Sequence, residues 1–329
     1  MQTLFARSQF WRNHDIFARQ KLGAFLASHA AVQELSERYV SITDAGALAA
    51  TDEEAQRLLF YEMTEIALWG NATDLSLLSS LSLDQVHSLQ GKKAIHEGRA
   101  RIVSNDMPEA WEYLKSRRGR RVDIVLDNAG FELFTDLVYA LYLLDSGLAS
   151  PIKLHVKSIP WFVSDVMPHD MDVLLSALAD ATVFTGAEHP SVRALTKRLS
   201  ECYKTGLMSI AEHPFWTTGF DFQDMPVVAP ELHQDLLEST LVIFKGDLNY
   251  RKLVRDANWP HTTLFKDAIG PLNGGRRGGG VKILALRTNK ADVCVGLSQE
   301  TLKRVEIEAP GKAWVRNGKY AVVSFSDGV

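Results

Sequence analysis

Cysteine is scarce in this chain: Cys202 and Cys294 are the only two in 329 residues. Two thiols so far apart make neither a disulfide framework nor a thiolate zinc site. Long apolar runs are missing as well, and none approaches the roughly 20 residues that a membrane helix needs. Met1 to Arg12 has no long apolar core and no small-residue cleavage signal of a secretory leader. These absences predict a reducing, cytoplasmic setting and no membrane partner. Blocks of single-sign charge are lacking too, with 36 basic against 40 acidic side chains and a formal net charge of -4. That balance argues against a surface that coats nucleic acid, and Lys115 to Arg121 reads as a solvated loop before a strand. No Walker A sequence is present, and the ten histidines show no HExxH or paired-ligand spacing. His169 and His213 read as structural. Gly274 to Gly280 is no dinucleotide fingerprint, because it does not sit between a strand and a helix at the right spacing; it reads as a surface loop with two arginines.

What is present is enough apolar residue, 46% of the chain, to bury a sizeable core. Apolar positions at three- and four-residue spacing predict helices over Phe17 to Tyr39, Glu53 to Trp69 and Pro108 to Leu114. Gly70 is placed to stop the second of these and Asp74 to cap another. No strand-like run is read in the first 115 or so residues. From Arg120 the pattern changes to short apolar runs separated by helical or loop segments. Strands are predicted near Val122 to Leu126, Ile152 to Val156, Thr182 to Thr185, Leu241 to Phe244, Val281 to Leu286 and Ala321 to Phe325. A helix from Phe131 to Leu144 follows the first and ends at Ser146-Gly147. The fold class expected is a three-layer α/β/α domain with a mainly parallel sheet, residues 118–329, preceded by an α-helical N-terminal unit, residues 1–117.

Ligands in such sheets bind beyond the carboxyl ends of the strands, so the polar residues after each apolar run are the informative ones. Asp127 and Asn128 follow the first, with Glu132 one turn into the next helix. Ile159-Pro-Trp-Phe-Val-Ser-Asp165 follows the second. Lys245-Gly-Asp247-Leu-Asn249-Tyr-Arg251-Lys252 follows Leu241 to Phe244, and Arg287-Thr-Asn-Lys290 follows Val281 to Leu286. Asp127, Asn128 and Asp165 offer oxygen ligands alone, which suits Mg²⁺ or Mn²⁺ better than a thiol- or imidazole-preferring metal. Arg251 and Lys290 are natural phosphate partners, and Asp247, Asn249 and Glu132 suit sugar hydroxyls.

Each piece has a plainer reading. Asp-Asn after a strand is commonly a turn or cap, Asp165 is placed to cap a helix, and Arg287 to Lys290 alone would be a solvated edge. Trp161 and Phe162 read as packing residues that aim the Asp165 loop rather than as a stacking platform. The joint placement of four clusters is what favours a site.

These same segments resemble the damage-control phosphatase family, in its subfamily III branch with an Arg-Thr-x-Lys motif. Eukaryotic relatives there are also labelled protein-glutamate O-methyltransferase. The resemblance runs from Trp69-Gly-Asn71 and Asp74-Leu-Ser76 through Val-Leu-Asp127-Asn128-x-Gly-Phe-Glu132-Leu and Ile159-Pro-Trp-Phe-Val-Ser-Asp165. It continues in Met225-Pro-x-Val-Ala-Pro230, Phe244-Lys-Gly-Asp247-Leu-Asn-Tyr-Arg-Lys-Leu253, Arg287-Thr-Asn-Lys290 and Gly318-Lys-Tyr. It implies a metal site at Asp127, Asn128 and Asp165, with Mn²⁺, Co²⁺ or Ni²⁺ preferred. It also implies substrate contacts at Glu132, at Asp247, Leu248, Asn249, Tyr250 and Arg251, and at Lys290. The activity implied is hydrolysis of small sugar phosphates such as fructose 1-phosphate and fructose 6-phosphate. The eukaryotic relatives carry a long N-terminal extension that this chain lacks.

A sugar phosphatase is therefore the leading expectation, with the attacking group, water or a carboxylate, left open. Its rivals are an S-adenosylmethionine-dependent carboxyl methyltransferase, for which no glycine-rich cofactor loop follows the first strand, and a non-catalytic binding module.

Overall fold

The computed structural model describes residues 7–9, 14–44, 52–70, 99–274 and 279–329. Strand β2, Arg120–Val125, is an interior strand of its sheet, and its last four residues are buried. Alternate residues of this strand serve opposite faces. Val122 and Ile124 join one apolar cluster, and Val125 joins the other. The neighbours repeat the alternation: Ile243 and Leu284 face the first cluster, Val242, Phe244 and Ala285 the second. Two apolar faces demand helices on both, which gives three layers.

The sheet has seven strands: β1 (Ile102–Asn105), β2, β3 (Ala149–Val156), β4 (Met208–Glu212), β5 (Leu241–Lys245), β6 (Ile283–Thr288) and β7 (Ala321–Ser326). Their order is β1-β7-β6-β5-β2-β3-β4. Every pairing is parallel except β6 with β7. From β2 the chain moves outward through β3 and β4, then returns to lay β5 on the other side of β2. The direction of winding reverses there, so a crevice opens between β2 and β5 at their carboxyl ends.

The helix Phe131–Asp145 lies directly behind that crevice, with residues from Glu132 through Leu143 all buried. It packs between the sheet and Glu53–Trp69, the helix predicted with those bounds. Thr64 and Tyr139 share a hydroxyl–hydroxyl bond of 3.1 Å across this contact. The helices Ala18–Leu26, His29–Asp44, Asp170–Ala179 and Pro190–Lys204 complete this side. Among the described residues, no helix is long and apolar enough to cross a membrane.

Several expectations are corrected. Phe17 to Tyr39 is two helices, which part at Ala27-Ser28. Residues before 115 do contribute a strand, because β1 pairs with β7 at the sheet edge. Strand β4 was not predicted. Thr182 to Thr185 forms turns instead of a strand. There Asp180 accepts from both the backbone and the hydroxyl of Thr182, while Phe184 stacks on Phe25 at 5.3 Å. Asn71, Asp74, Ser76 and part of the Gly274–Gly280 loop lie outside the described residues.

Candidate metal and phosphate site

Strands β2, β3, β5 and β6 run parallel, so the residues that follow them meet at one edge of the sheet. Asp127 follows β2 and is 7% exposed; Asp165, from the loop after β3, is 1% exposed. Backbone bonds hold these loops together. Ala129 N–H donates to Ser164 O (2.7 Å) and Val166 N–H to Asp127 O (3.1 Å), so Asn128 and Asp165 form an isolated antiparallel bridge. Asp165 does not cap a helix. Its Oδ2 accepts from Phe162 N–H at 2.6 Å within its own loop.

The Asn128 amide is oriented by its neighbours. Its Nδ2 donates to Asp127 Oδ2 and to Glu132 Oε2, each at 2.8 Å. That leaves Oδ1 as the free side of the amide, and it accepts from Ser164 Oγ at 2.5 Å. Two carboxylates and one amide oxygen fit a hard divalent cation, with no sulfur or imidazole in the set. Burial pushes the Asp127 carboxyl up to about 7, against the pull of the Lys157 ammonium. Burial likewise raises Glu132. A divalent charge is the natural counterweight to such desolvated acids.

Two lysines that sequence reasoning left without a role sit inside this cluster. Lys157, immediately after β3, places Nζ 2.6 Å from Asp165 Oδ1 and 3.7 Å from Asp127 Oδ1. Lys245, the last residue of β5, reaches Asp136 Oδ1 at 2.8 Å and Glu132 Oε1 at 3.6 Å. The signal for both was a cation directly abutting an apolar run. Asp136 could have been found as an acid four residues after Glu132 in an otherwise apolar helix.

The other sequence candidates divide into two groups. Asp247 Oδ1 accepts from Arg287 Nε at 2.8 Å and from the backbone N–H of Lys290 at 3.1 Å, which ties the ends of β5 and β6 together. The exposed Lys290 ammonium slightly opposes the rise that burial gives the Glu132 carboxyl. Leu248 is half-buried beside them. Asn249 is spent on structure, since its Nδ2 donates to Lys245 O at 2.8 Å and to Leu126 O at 3.3 Å. The Tyr250 side chain is fully buried, and its hydroxyl accepts from Val295 N–H at 3.1 Å. Arg251 is paired here: Nε donates to Asp256 Oδ1 at 3.0 Å and Nη2 to Oδ2, while Nη1 lies 4.0 Å from Asp247 Oδ2. Trp161 and Phe162 are about half exposed rather than packed inside.

Two further carboxylate–imidazole groups exist among the described residues: Asp15, His169 and Asp170, and Asp123, His155 and Asp235. Each already holds a cation of its own. Lys21 Nζ lies 2.7 Å from both Asp15 and Asp170, and Arg121 and Lys153 reach Asp235 at 3.0 and 2.9 Å.

Comparison with known proteins agrees with the expected resemblance. The profile of the damage-control phosphatase ARMT1-like domain matches residues 1–305. The chain belongs to the ARMT1-like damage-control phosphatase family. Damage-control phosphatase ARMT1 of Danio rerio is 39% identical over 81% of this chain and 58% of its own length. The Xenopus laevis protein of that name is 35% identical over 96% of this chain and 70% of its own. For the Bos taurus protein the figures are 36%, 83% and 60%. The ARMT1-like chain thus spans 58 to 70% of the length of these relatives.

Proposed function

We propose that this chain is a divalent-metal-dependent phosphatase that hydrolyses small sugar phosphates of the fructose 1-phosphate and fructose 6-phosphate kind. The observation that carries this reading is the convergence of Asp127, Asn128 Oδ1 and Asp165 at the β2/β5 switch point, with Lys157 beside them. Asp127, Asn128 and Asp165 would hold the metal: Mn²⁺, Co²⁺, Ni²⁺ or Mg²⁺. When bound, such an ion polarises a phosphoryl oxygen and acidifies a coordinated water.

The protein's own groups supply the rest. The Lys157 ammonium, held between two carboxylates, neutralises charge on a transferring phosphoryl group, and Lys290 does so from beyond the end of β6. Asp247 is pinned by Arg287 with Oδ1 occupied, so its other oxygen is the one available to a sugar hydroxyl. The parent names of the relatives and the family profile support the reaction class. The two buried free thiols fit a reducing compartment such as the cytoplasm.

Phosphate release from a panel of phosphorylated sugars, with each metal in turn and with EDTA, tests this reading. Turnover that EDTA abolishes and Asp127→Ala removes, without change in fold, is expected. An Asp127→Ala protein with wild-type turnover would sink the site assignment. Metal-independent turnover would sink the metal.

A further inference from the structure

Behind the metal ligands lies a second set of buried charges that the proposed chemistry does not use. Asp136 stands one helical turn after Glu132, so both project from the same helix face, and they are 0% and 4% exposed. Lys245, 1% exposed, is shared between them. Its Nζ also donates to the carbonyl of Ala67 at 2.5 Å, near the end of the helix Glu53–Trp69. One hydrogen bond, to Ala67, and two carboxylates at 2.8 and 3.6 Å hold this buried ammonium within the protein.

The opposite side of Glu132 explains why such an arrangement is built. Its Oε2 accepts from Asn128 Nδ2 at 2.8 Å. The two ends of an amide are nearly equal in shape and opposite in polarity. A Glu132 free to turn away would let the Asn128 amide present its hydrogens where a cation requires its oxygen. A buried ion pair is a costly way merely to join a strand to a helix, because apolar residues of similar volume do it without desolvation.

We propose that Lys245, anchored by Asp136 and the Ala67 carbonyl, is a positioning residue for the metal, fixing Glu132 so that Glu132 fixes the Asn128 amide with its oxygen toward the ion. The chain of contacts runs Asp136, Lys245, Glu132, Asn128. Outer-shell partners of this type orient first-shell ligands and set their affinity. The inference rests on the reading of Asp127, Asn128 and Asp165 as the metal ligands.

Calorimetric titration of Mn²⁺ into the metal-free protein tests it, on wild type, Lys245→Met, Glu132→Gln and the double variant, with thermal unfolding of each metal-free form. Lys245→Met is expected to bind Mn²⁺ roughly 10–100-fold more weakly. The double variant should bind no more weakly than Glu132→Gln alone, because the lysine acts only through Glu132. Should Lys245→Met fail to fold, Asp136→Asn, which keeps shape and removes the anchor, is expected to weaken Mn²⁺ about tenfold. Wild-type affinity in the folded variant, or a lysine effect that persists in full without Glu132, overturns the proposal while leaving the metal site intact. Absence of Mn²⁺ binding to the wild type overturns the metal reading and this inference together.

Discussion

Gly246 approaches Asp127 so closely that a Cβ added to it would lie 1.9 Å from the Oδ2 of that carboxylate. The glycine also has φ of 88°, a region that L side chains rarely adopt. Two independent constraints therefore require glycine between the end of β5 and Asp247. Gly246→Ala is expected to lose on the order of 1–3 kcal/mol from backbone strain. It should also displace Asp127, so Mn²⁺ affinity falls together with stability. Urea unfolding and metal titration of the variant check both, and wild-type metal affinity would show that the Asp127 carboxylate is not the group displaced.

Arg287 is fully buried, and each of its three guanidinium nitrogens has an acceptor. Nε donates to Asp247 Oδ1 at 2.8 Å, Nη1 to Val293 O at 2.5 Å and Nη2 to Ala291 O at 2.9 Å, while the group lies 4.5 Å from the Tyr250 ring centre. Lysine cannot reproduce this planar fork. Arg287→Lys is expected to cost on the order of 2–3 kcal/mol through lost charge-assisted bonds. Because Asp247 is assigned to the sugar, KM for a sugar phosphate should rise more than kcat falls. Steady-state kinetics on the folded variant decide this, and a pure kcat loss would place Asp247 in the chemistry instead.

The parts of the fold that were legible in sequence are those buried on two faces. β5 and β6 carry near-continuous apolar runs because helices cover both sides of the sheet, and β2 and β3 keep Val122, Ile124, Ile152, Leu154 and Val156 around Asp123, Lys153 and His155. β1 and β4 are four and five residues long and sit at or near the edges. Ser104, Asn105, Ser209 and Glu212 dilute their apolar signal. Val183-Phe184 imitates a strand, but the apolar contact it makes is with a helix. In the site, Asp127, Asn128, Glu132 and Asp165 were legible as polar residues at strand ends. Lys157 and Lys245 were not, because a lysine after a strand is ordinarily solvated, and only the folded arrangement of acids around each one explains its burial. The pairing of Arg251 with Asp256 was hidden for a related reason. Asp256 is five residues away, beyond helical pairing distance, and the turn that brings it back has no strong sequence signature.

Gly70 explains one motif whose remainder lies outside the described residues. A Cβ there would meet Thr135 Oγ1 at 2.1 Å, so the end of the helix Glu53–Trp69 touches the helix that carries Glu132 and Asp136. Gly70→Ala is expected to destabilise the fold by about 1–3 kcal/mol through overpacking. Thr135→Ala removes the nearest atom and should recover part of that loss in the double variant. A double-mutant cycle by urea unfolding measures the coupling, and strict additivity would show that the two helices separate without strain.

Asp106 gives a pH dependence remote from the metal. Burial pushes its carboxyl up to about 6 from an ordinary 3.8, although Phe325 N–H donates to it at 2.9 Å, and Glu109 adds to the rise. The folded protein therefore holds this proton more tightly than the unfolded chain does. Its contribution to stability is fully present below about pH 4 and is lost as pH rises through 6. Asp106→Asn keeps an oxygen for the Phe325 N–H and cannot ionise, so it should be stabilised relative to wild type at pH 7. That advantage should shrink toward zero near pH 4. Urea midpoints of both proteins across this range check the sign. A variant whose advantage grows as pH falls would mean that the folded state favours the Asp106 carboxylate rather than its acid.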